Sequence, residues 1–328
     1  MKKAKILLLS LILLTLTGCK SREPISKTAY MLNTFVTITL YDTQDQQILD
    51  GCLNLCESYE QMFSRTIETS EIYKLNHRAP NETTVTISDD AARLIEKGLY
   101  YSQVSNGAFD ITVEPITSLW DFTGDEHRIP DEAALKDAVK KVGYQNLQLD
   151  GNELTFLSPD TAIELGAIAK GYIADRLKDY LLDNGVNSAV INLGGNVLCV
   201  REKPGKQPFK IGLQKPYADH TETIETMNIK DLSVVSSGVY ERHFVIDGVN
   251  YHHILDPKTG YPYQNGLVSV TILSGESVDG DGLSTACFSL GMEKGMELVE
   301  SMEGIYAIFI TEDGKVHYSE GAERFLAK

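Results

Sequence analysis

The residues best equipped for chemistry lie in one run, His252 to Pro262 (HHILDPKTGYP). Two histidines, an aspartate, a lysine and a threonine stand beside turn-forming proline and glycine. To their left, Phe244 to Leu255 alternates around Asp247-Gly248 and predicts a β-hairpin. A rigid strand that hands ionisable groups to a loop is a common way to build an active site. The same residues also suit a hydrated turn closing a hairpin.

Three further runs have chemical potential, each beside a plainer structural reading. Asn106 to Trp120 (NGAFDITVEPITSLW) begins with a turn, offers an unobstructed backbone at Ala108, a flat apolar ring at Phe109 and an acceptor at Asp110. That combination suits a planar ring ligand, or a segment entering the core through Phe109 and Ile111. Glu164 to Asp175 (ELGAIAKGYIAD) predicts a strand-to-helix junction. Gly166 and Gly171 permit close approach of a ligand, and the helix-start N–H groups with Lys170 suit phosphate. The plainer reading is a helix start with a solvated lysine. Asp279 to Gly291 (DGDGLSTACFSLG) puts Asp281 and Thr285 one helical turn apart. A carboxylate and a hydroxyl on one face form a hard oxygen pair suited to Mg²⁺, or a helix-start charge followed by an ordinary threonine.

The elements that position these groups follow from periodicity. Tyr30 to Tyr41 alternates as a strand. Gln44 to Phe63 predicts a helix with Ile48, Leu49, Cys52, Leu55, Cys56 and Tyr59 on one side. A second helix follows Ser88 as N-cap to Val104, and a third spans Asp131 to Val142. Leu147 to Leu157 predicts a hairpin, Ala169 to Asn184 a helix, and Ser188 to Val200 a strand pair turning at Gly194-Gly195. Strands dominate Phe209 to Ser274. Helices follow over Asp281 to Leu290 and Glu293 to Met302, and a last hairpin turns at Asp313-Gly314. Without strict β-α alternation, the order implies an α+β fold: one large domain over 30–328, mostly antiparallel sheet with flanking helices. No G-x-G-x-x-G follows a strand and no P-loop is present.

The N-terminus predicts a compartment. Lys2, Lys3 and Lys5 precede an apolar run from Ile6 to Leu16, too short to span a bilayer. It ends in Leu16-Thr17-Gly18-Cys19, which resembles a bacterial lipobox. Residues 1–18 are thus expected to be a lipoprotein signal, Cys19 the lipidated (palmitate-bearing) first residue, and 19–29 a polar tether at the extracytoplasmic face of a membrane. The formal net charge is −16, and removal of the signal makes it more acidic still. Such a chain should not bind nucleic acid and is repelled by anionic headgroups, so the anchor must hold it at the membrane. The remaining cysteines, Cys52, Cys56, Cys199 and Cys287, lack zinc-type spacing and read as small buried hydrophobes.

Taken together the blocks resemble one family, the ApbE-type flavin transferases, which move FMN from FAD to a threonine of a target protein. The resemblance runs from Met31 to Thr34, through Ser70-Glu71 with Asn76, the GAFDIT and LGAIAKGYIAD blocks, Asn192 to Asn196 and Ser236-Ser237-Gly238, to HHILDPKTGYP and DGLSTA. It implies an ApbE-like, T-fold-related domain. It also implies FAD as substrate, Mg²⁺ as cofactor, and an exported or membrane-anchored acceptor such as an FMN-binding domain or redox-complex subunit. Carried over, Met31, Ala108, Phe109, Asp110, Glu164, Lys170 and Ile254 would contact FAD. The Ala167 carbonyl, Asp281 and Thr285 would hold the metal. Glu164 departs from the family's usual aspartate. Its longer side chain is expected still to reach a ribose or adenine donor. His253 would deprotonate the acceptor threonine, with Asp256 or His252 orienting it. A Mg²⁺-dependent FAD pyrophosphatase and a non-enzymatic flavin-binding lipoprotein remain the alternatives.

Overall fold

The computed structural model describes residues 23–124, 127–219 and 222–327. The expected signal and Cys19 lie outside the described residues. The described residues open with a tight hairpin, β1 (Ile25–Met31) and β2 (Thr34–Leu40). The alternation from Tyr30 to Tyr41 is therefore broken, not one strand. Leu32 and Asn33 adopt left-handed φ of 54° and 56°, as a two-residue hairpin turn demands. Residues 25–29, expected in the tether, belong to the sheet instead. Cross-strand hydroxyl pairs explain why: Ser26 meets Thr39 at 3.0 Å and Thr28 meets Thr37 at 2.9 Å.

Helix α1 (Gln46–Phe63) buries Ile48, Leu49, Cys52, Cys56 and Tyr59, the stripe its periodicity predicts. A short α2 (Glu71–Asn76) and β3 (Thr84–Thr86) lead into α3 (Asp89–Val104). The Ser88 hydroxyl accepts from Ala91 N at 3.3 Å, the expected N-cap. A single turn, α4 (Glu114–Thr117), precedes α5 (Glu132–Val139), which the Asp131 carboxylate caps. That helix stops three residues short of Val142. Strands β4 (Leu147–Asp150) and β5 (Glu153–Phe156) form the expected hairpin, with β3 along its edge.

The second half builds the main sheet. Helix α6 (Ala169–Asp183) is followed by β6 (Ser188–Leu193) and β7 (Asn196–Arg201). Then come β8 (Phe209–Gln214), β9 (Thr223–Ile229) and β10 (Ser233–Gly238). The chemical hairpin is β11 (His243–Ile246) and β12 (Val249–His252), turning at Asp247-Gly248 as predicted. Strand β13 (Leu267–Ser274), helices α7 (Ser277–Leu290) and α8 (Met292–Glu300), and strands β14 (Tyr306–Thr311) and β15 (Val316–Tyr318) come next, followed by a 3-10 turn, Ala322–Phe325. Eight strands pair antiparallel in the order β1-β2-β6-β7-β10-β13-β14-β15. Helices α6 and α7 pack on each other and on its central strands. The fold is thus the expected α+β domain. A second, smaller core of Ile116, Trp120, Leu135, Ala138, Phe244 and Leu255 lies under the β11–β12 hairpin. Trp120 donates to the Gly260 carbonyl at 2.9 Å, fixing the turn after His253 to that core.

Helix α7 starts at Ser277, four residues earlier than the pattern around Asp281 suggests. Its first amides are satisfied from outside the local sequence, by the Asp175 carboxylate of α6. No local periodicity signals that cap.

Candidate active site

The site assembles where α6, α7 and β10 meet. Gly171 permits it. A Cβ there would stand 2.4 Å from the Ser277 carbonyl oxygen. With no side chain in the way, α6 crosses α7 closely enough for Gly171 N to donate to Asp281 Oδ2 at 2.8 Å. Thr285 lies one turn further along the same helix. Its hydroxyl is 3.0 Å from Ser237 Oγ on β10, and Ser237 is 2.8 Å from Ser284 Oγ. The two aspartates of the run diverge. Asp279 turns to α3 and accepts from Lys97 Nζ and Tyr101 Oη, both at 2.6 Å. Asp281 turns to α6 and is buried, 4% exposed, with no cationic partner among the described residues. Buried charges are as a rule paired or metal-bound.

The two histidines separate cleanly. His252 is 2% exposed, and its ring meets Phe288 edge-on. Its Nε2 donates to the Tyr263 carbonyl at 2.9 Å, and its Nδ1 accepts from Ile254 N at 3.3 Å. Both nitrogens are occupied, and burial pushes its pKa down to about 4. His253, the next residue along, is half-buried. Burial first, then the charges of Arg242, His252 and Lys170, push its imidazole down to about 3. Its Nδ1 lies 3.4 Å from the Arg242 carbonyl, which sets the tautomer with Nε2 unprotonated.

Asp256 does not orient His253. Its carboxylate accepts from Lys258 N at 2.9 Å and Thr259 Oγ1 at 3.1 Å, closing its own turn. The orienting group is the Arg242 backbone, which also accepts from His253 N at 3.1 Å. Residues Glu241 and Arg242, directly ahead of β11, are the main ones that motif reading missed. Their charge next to the hairpin was the available signal. Glu241 stays open to solvent yet is ringed by protein. That surrounding mass pushes its carboxyl up to about 7 against the opposing pull of Lys170 and Arg242.

The ring-ligand segment is only partly as expected. Phe109 is 5% exposed and belongs to the main core, so the core-entry reading holds for it. Asp110 is buried and spends its oxygens inside the protein, on Thr112 N at 2.8 Å, Thr112 Oγ1 at 2.6 Å and Tyr144 N at 2.9 Å. Ala108 remains at the surface of the segment, and its carbonyl accepts from Tyr263 Oη at 3.0 Å. Tyr263 N in turn donates to the buried Ile254 at 3.1 Å. These bonds join the Ala108 segment to the histidine strand.

Glu164 follows irregular backbone, not a strand, and its N–H donates to the Ile111 carbonyl at 2.8 Å. Its carboxylate pairs with Arg65 Nε, and Arg65 also lies 3.6 Å from Glu114. Gly166 N donates to its other oxygen at 3.1 Å. Burial raises its pKa, with the Arg65 charge opposing. Ala167 and Lys170 lie between this cluster and Asp281. Met31 ends β1, half-buried against the main core, with three strands between it and β10 in the sheet order. Two cavities of about 480 Å³ lie elsewhere, one beside Glu114, Asn76 and Thr161, the other among Met62, Glu71 and Arg78. Neither includes Lys170, His253 or Asp281.

Known proteins share this fold. Residues 32–309 match the model of the ApbE family. A Klebsiella pneumoniae protein named FAD:protein FMN transferase is 38% identical over 290 residues, covering 88% of this chain and 89% of its own. A Treponema pallidum protein of the same name is 32% identical over 289 residues, covering 83% and 79%. The crystal structure of the ApbE protein of Thermotoga maritima superposes with a TM-score of 0.85 at 32% identity, covering 93% of this chain and 100% of that one. The flavin transferase ApbE of Vibrio cholerae gives 0.84 at 26% identity, over 93% and 99%. Sequence and fold together make this chain a member of the ApbE family.

Proposed function

We propose that this chain is an FAD:protein FMN transferase: with Mg²⁺ it moves FMN from FAD onto a threonine hydroxyl of an acceptor protein and releases AMP. One observation carries the reading. Asp281 bonds the first turn of α6 directly after Lys170, and the Lys170 charge reaches His253, in a chain whose relatives bear that name. Asp281 supports the metal in particular. It is a buried carboxylate with one oxygen on Gly171 N and no ion pair among the described residues. With Thr285 and the Ala167 carbonyl it offers the hard oxygens that suit Mg²⁺, which keeps several waters and bridges phosphates. When bound there, Mg²⁺ neutralises charge on the pyrophosphate.

The protein's own groups do the rest. Lys170 and Arg242 supply positive charge beside the phosphates. His253 Nε2 takes the proton of the threonine hydroxyl as its oxygen attacks the FMN phosphorus. The bond from that phosphorus to the bridging oxygen breaks, and AMP carries away the electron pair. Before substrate arrives, burial first, then the charges of Arg242 and Lys170, hold His253 neutral. The incoming anions offset them and raise its basicity. Ala108, Ile254, Lys170, Glu164 and Met31 line the FAD path, while Phe109 and Asp110 brace the segment that presents Ala108. In this reading Cys19 anchors the protein by lipid at the extracytoplasmic face. Its support is the lysine-led apolar run ending in Leu16-Thr17-Gly18-Cys19. Among the described residues no helix is long and apolar enough to cross a membrane. Palmitate labelling that survives Cys19→Ser would remove the anchor from the account.

The test is incubation with FAD, Mg²⁺ and an FMN-binding acceptor domain. Covalent flavin on an acceptor threonine supports transfer. Free FMN and AMP with an unlabelled acceptor would make the protein a pyrophosphatase.

A further inference from the structure

Neither helix that meets at the site caps its own start. Helix α6 follows Ile168 and α7 follows Glu276, and neither residue makes a side-chain cap bond. Each helix is capped by the other. The Asp175 carboxylate of α6 accepts from Ser277 N at 2.7 Å and Val278 N at 2.8 Å, one oxygen to each. The Asp281 carboxylate of α7 accepts from Gly171 N, in the first turn of α6. Gly171 and Asp175 are four residues apart, so both contacts leave the same face of α6. Asp175 is 4% exposed and makes no ion pair among the described residues. The start of α7 is further tied by Ser277 Oγ, which donates to Asn196 Oδ1 at 2.8 Å.

This exchange couples the two halves of the site. Helix α6 carries Lys170 and follows the Ala167 carbonyl. Helix α7 carries Asp281 and Thr285. We infer that Asp175 is a positioning residue for Mg²⁺: by holding the first turn of α7 against α6, it sets where Asp281 and Thr285 stand relative to Ala167. The inference rests on the metal reading above but concerns a residue that would touch neither metal nor substrate. Groups that orient metal ligands without touching the metal usually change metal affinity when replaced.

The test compares wild type, Asp175→Asn, Asp175→Glu and Ser88→Ala. Mg²⁺ is titrated into each protein by calorimetry, and the Mg²⁺ dependence of FMN transfer is measured alongside. Asp175→Asn keeps one acceptor oxygen and the side-chain shape. Asp175→Glu keeps the carboxyl group but displaces it by one methylene. Both are expected to weaken Mg²⁺ binding by about 10-fold or more, with kcat largely recovered at saturating Mg²⁺. Ser88→Ala removes the cap at the start of α3, nine residues ahead of the Lys97 that bonds Asp279, so its melting temperature should drop with Mg²⁺ affinity unchanged. Wild-type Mg²⁺ affinity in a folded Asp175 variant overturns the inference. A loss of stability without a change in Mg²⁺ affinity, as in Ser88→Ala, also overturns it. A wild type that transfers FMN without Mg²⁺ would instead sink the metal reading itself.

Discussion

Gly171→Ala should disable the site without touching any group that handles substrate. The new methyl would lie 2.4 Å from Ser277 O, 2.7 Å from Ser277 C and 2.7 Å from Val278 Cα. All three are backbone atoms, so no rotamer change relieves the clash. Ordinary contact distances require the helices to part by about 1 Å. That shift stretches three hydrogen bonds to carboxylates now at 2.7–2.8 Å. At that separation they no longer count as good bonds. Overpacking alone costs about 1–3 kcal/mol, and weakening charge-assisted bonds adds to it. A total near 3 kcal/mol corresponds to a drop of roughly 5–10 °C in melting temperature. Thermal unfolding and the Mg²⁺ dependence of flavin transfer are the assays. A Gly171→Ala protein with wild-type melting temperature and wild-type Mg²⁺ requirement would refute the close-crossing argument.

Other consequences follow from single residues. Replacing His253 by alanine should lower transfer about 10²–10⁴-fold if it is the base. Unchanged single-turnover rates would remove it from that role. Because its imidazole is held near 3 in the free protein, the acid limb of kcat/KM should lie well below pH 6, and that of kcat at higher pH. Stability should also fall on acidification through His252. Its folded pKa of about 4 lies below the ordinary value, so its contribution is present above about pH 6.5 and lost as pH falls toward 4. The loss is about 3 kcal/mol. Urea unfolding of His252→Gln should show a flatter acid limb, and an equally steep one would refute the assignment. Asp281→Asn keeps an acceptor for Gly171 N but loses the charge, so it should fold yet need far more Mg²⁺. An unchanged Mg²⁺ requirement contradicts Asp281 as ligand.

The elements were legible where local pattern and tertiary need agree. Ser88 and Asp131 announce helix starts, and Asp247-Gly248 announces its hairpin, because those signals act within a few residues. The α7 start was hidden because its cap comes from Asp175, a hundred residues earlier in the chain. The β1–β2 turn was hidden because Leu32-Asn33 lacks the glycine that usually marks left-handed backbone. At the site, Asp281, Thr285 and Lys170 were found as types, but how their helices cross was not. Sequence could not divide the histidine pair either. The division depends on Tyr263 and Phe288 enclosing His252 while His253 meets the Arg242 backbone.

The central claim is transfer, and one assay meets it directly: FAD, Mg²⁺ and an acceptor domain incubated with the protein, followed by mass spectrometry of the acceptor. The account predicts FMN esterified to a single threonine, AMP released in equal amount, and no product after chelation of Mg²⁺ or with Asp281→Ala. An acceptor left unmodified while FAD is consumed, or modified equally well without divalent metal, would contradict it.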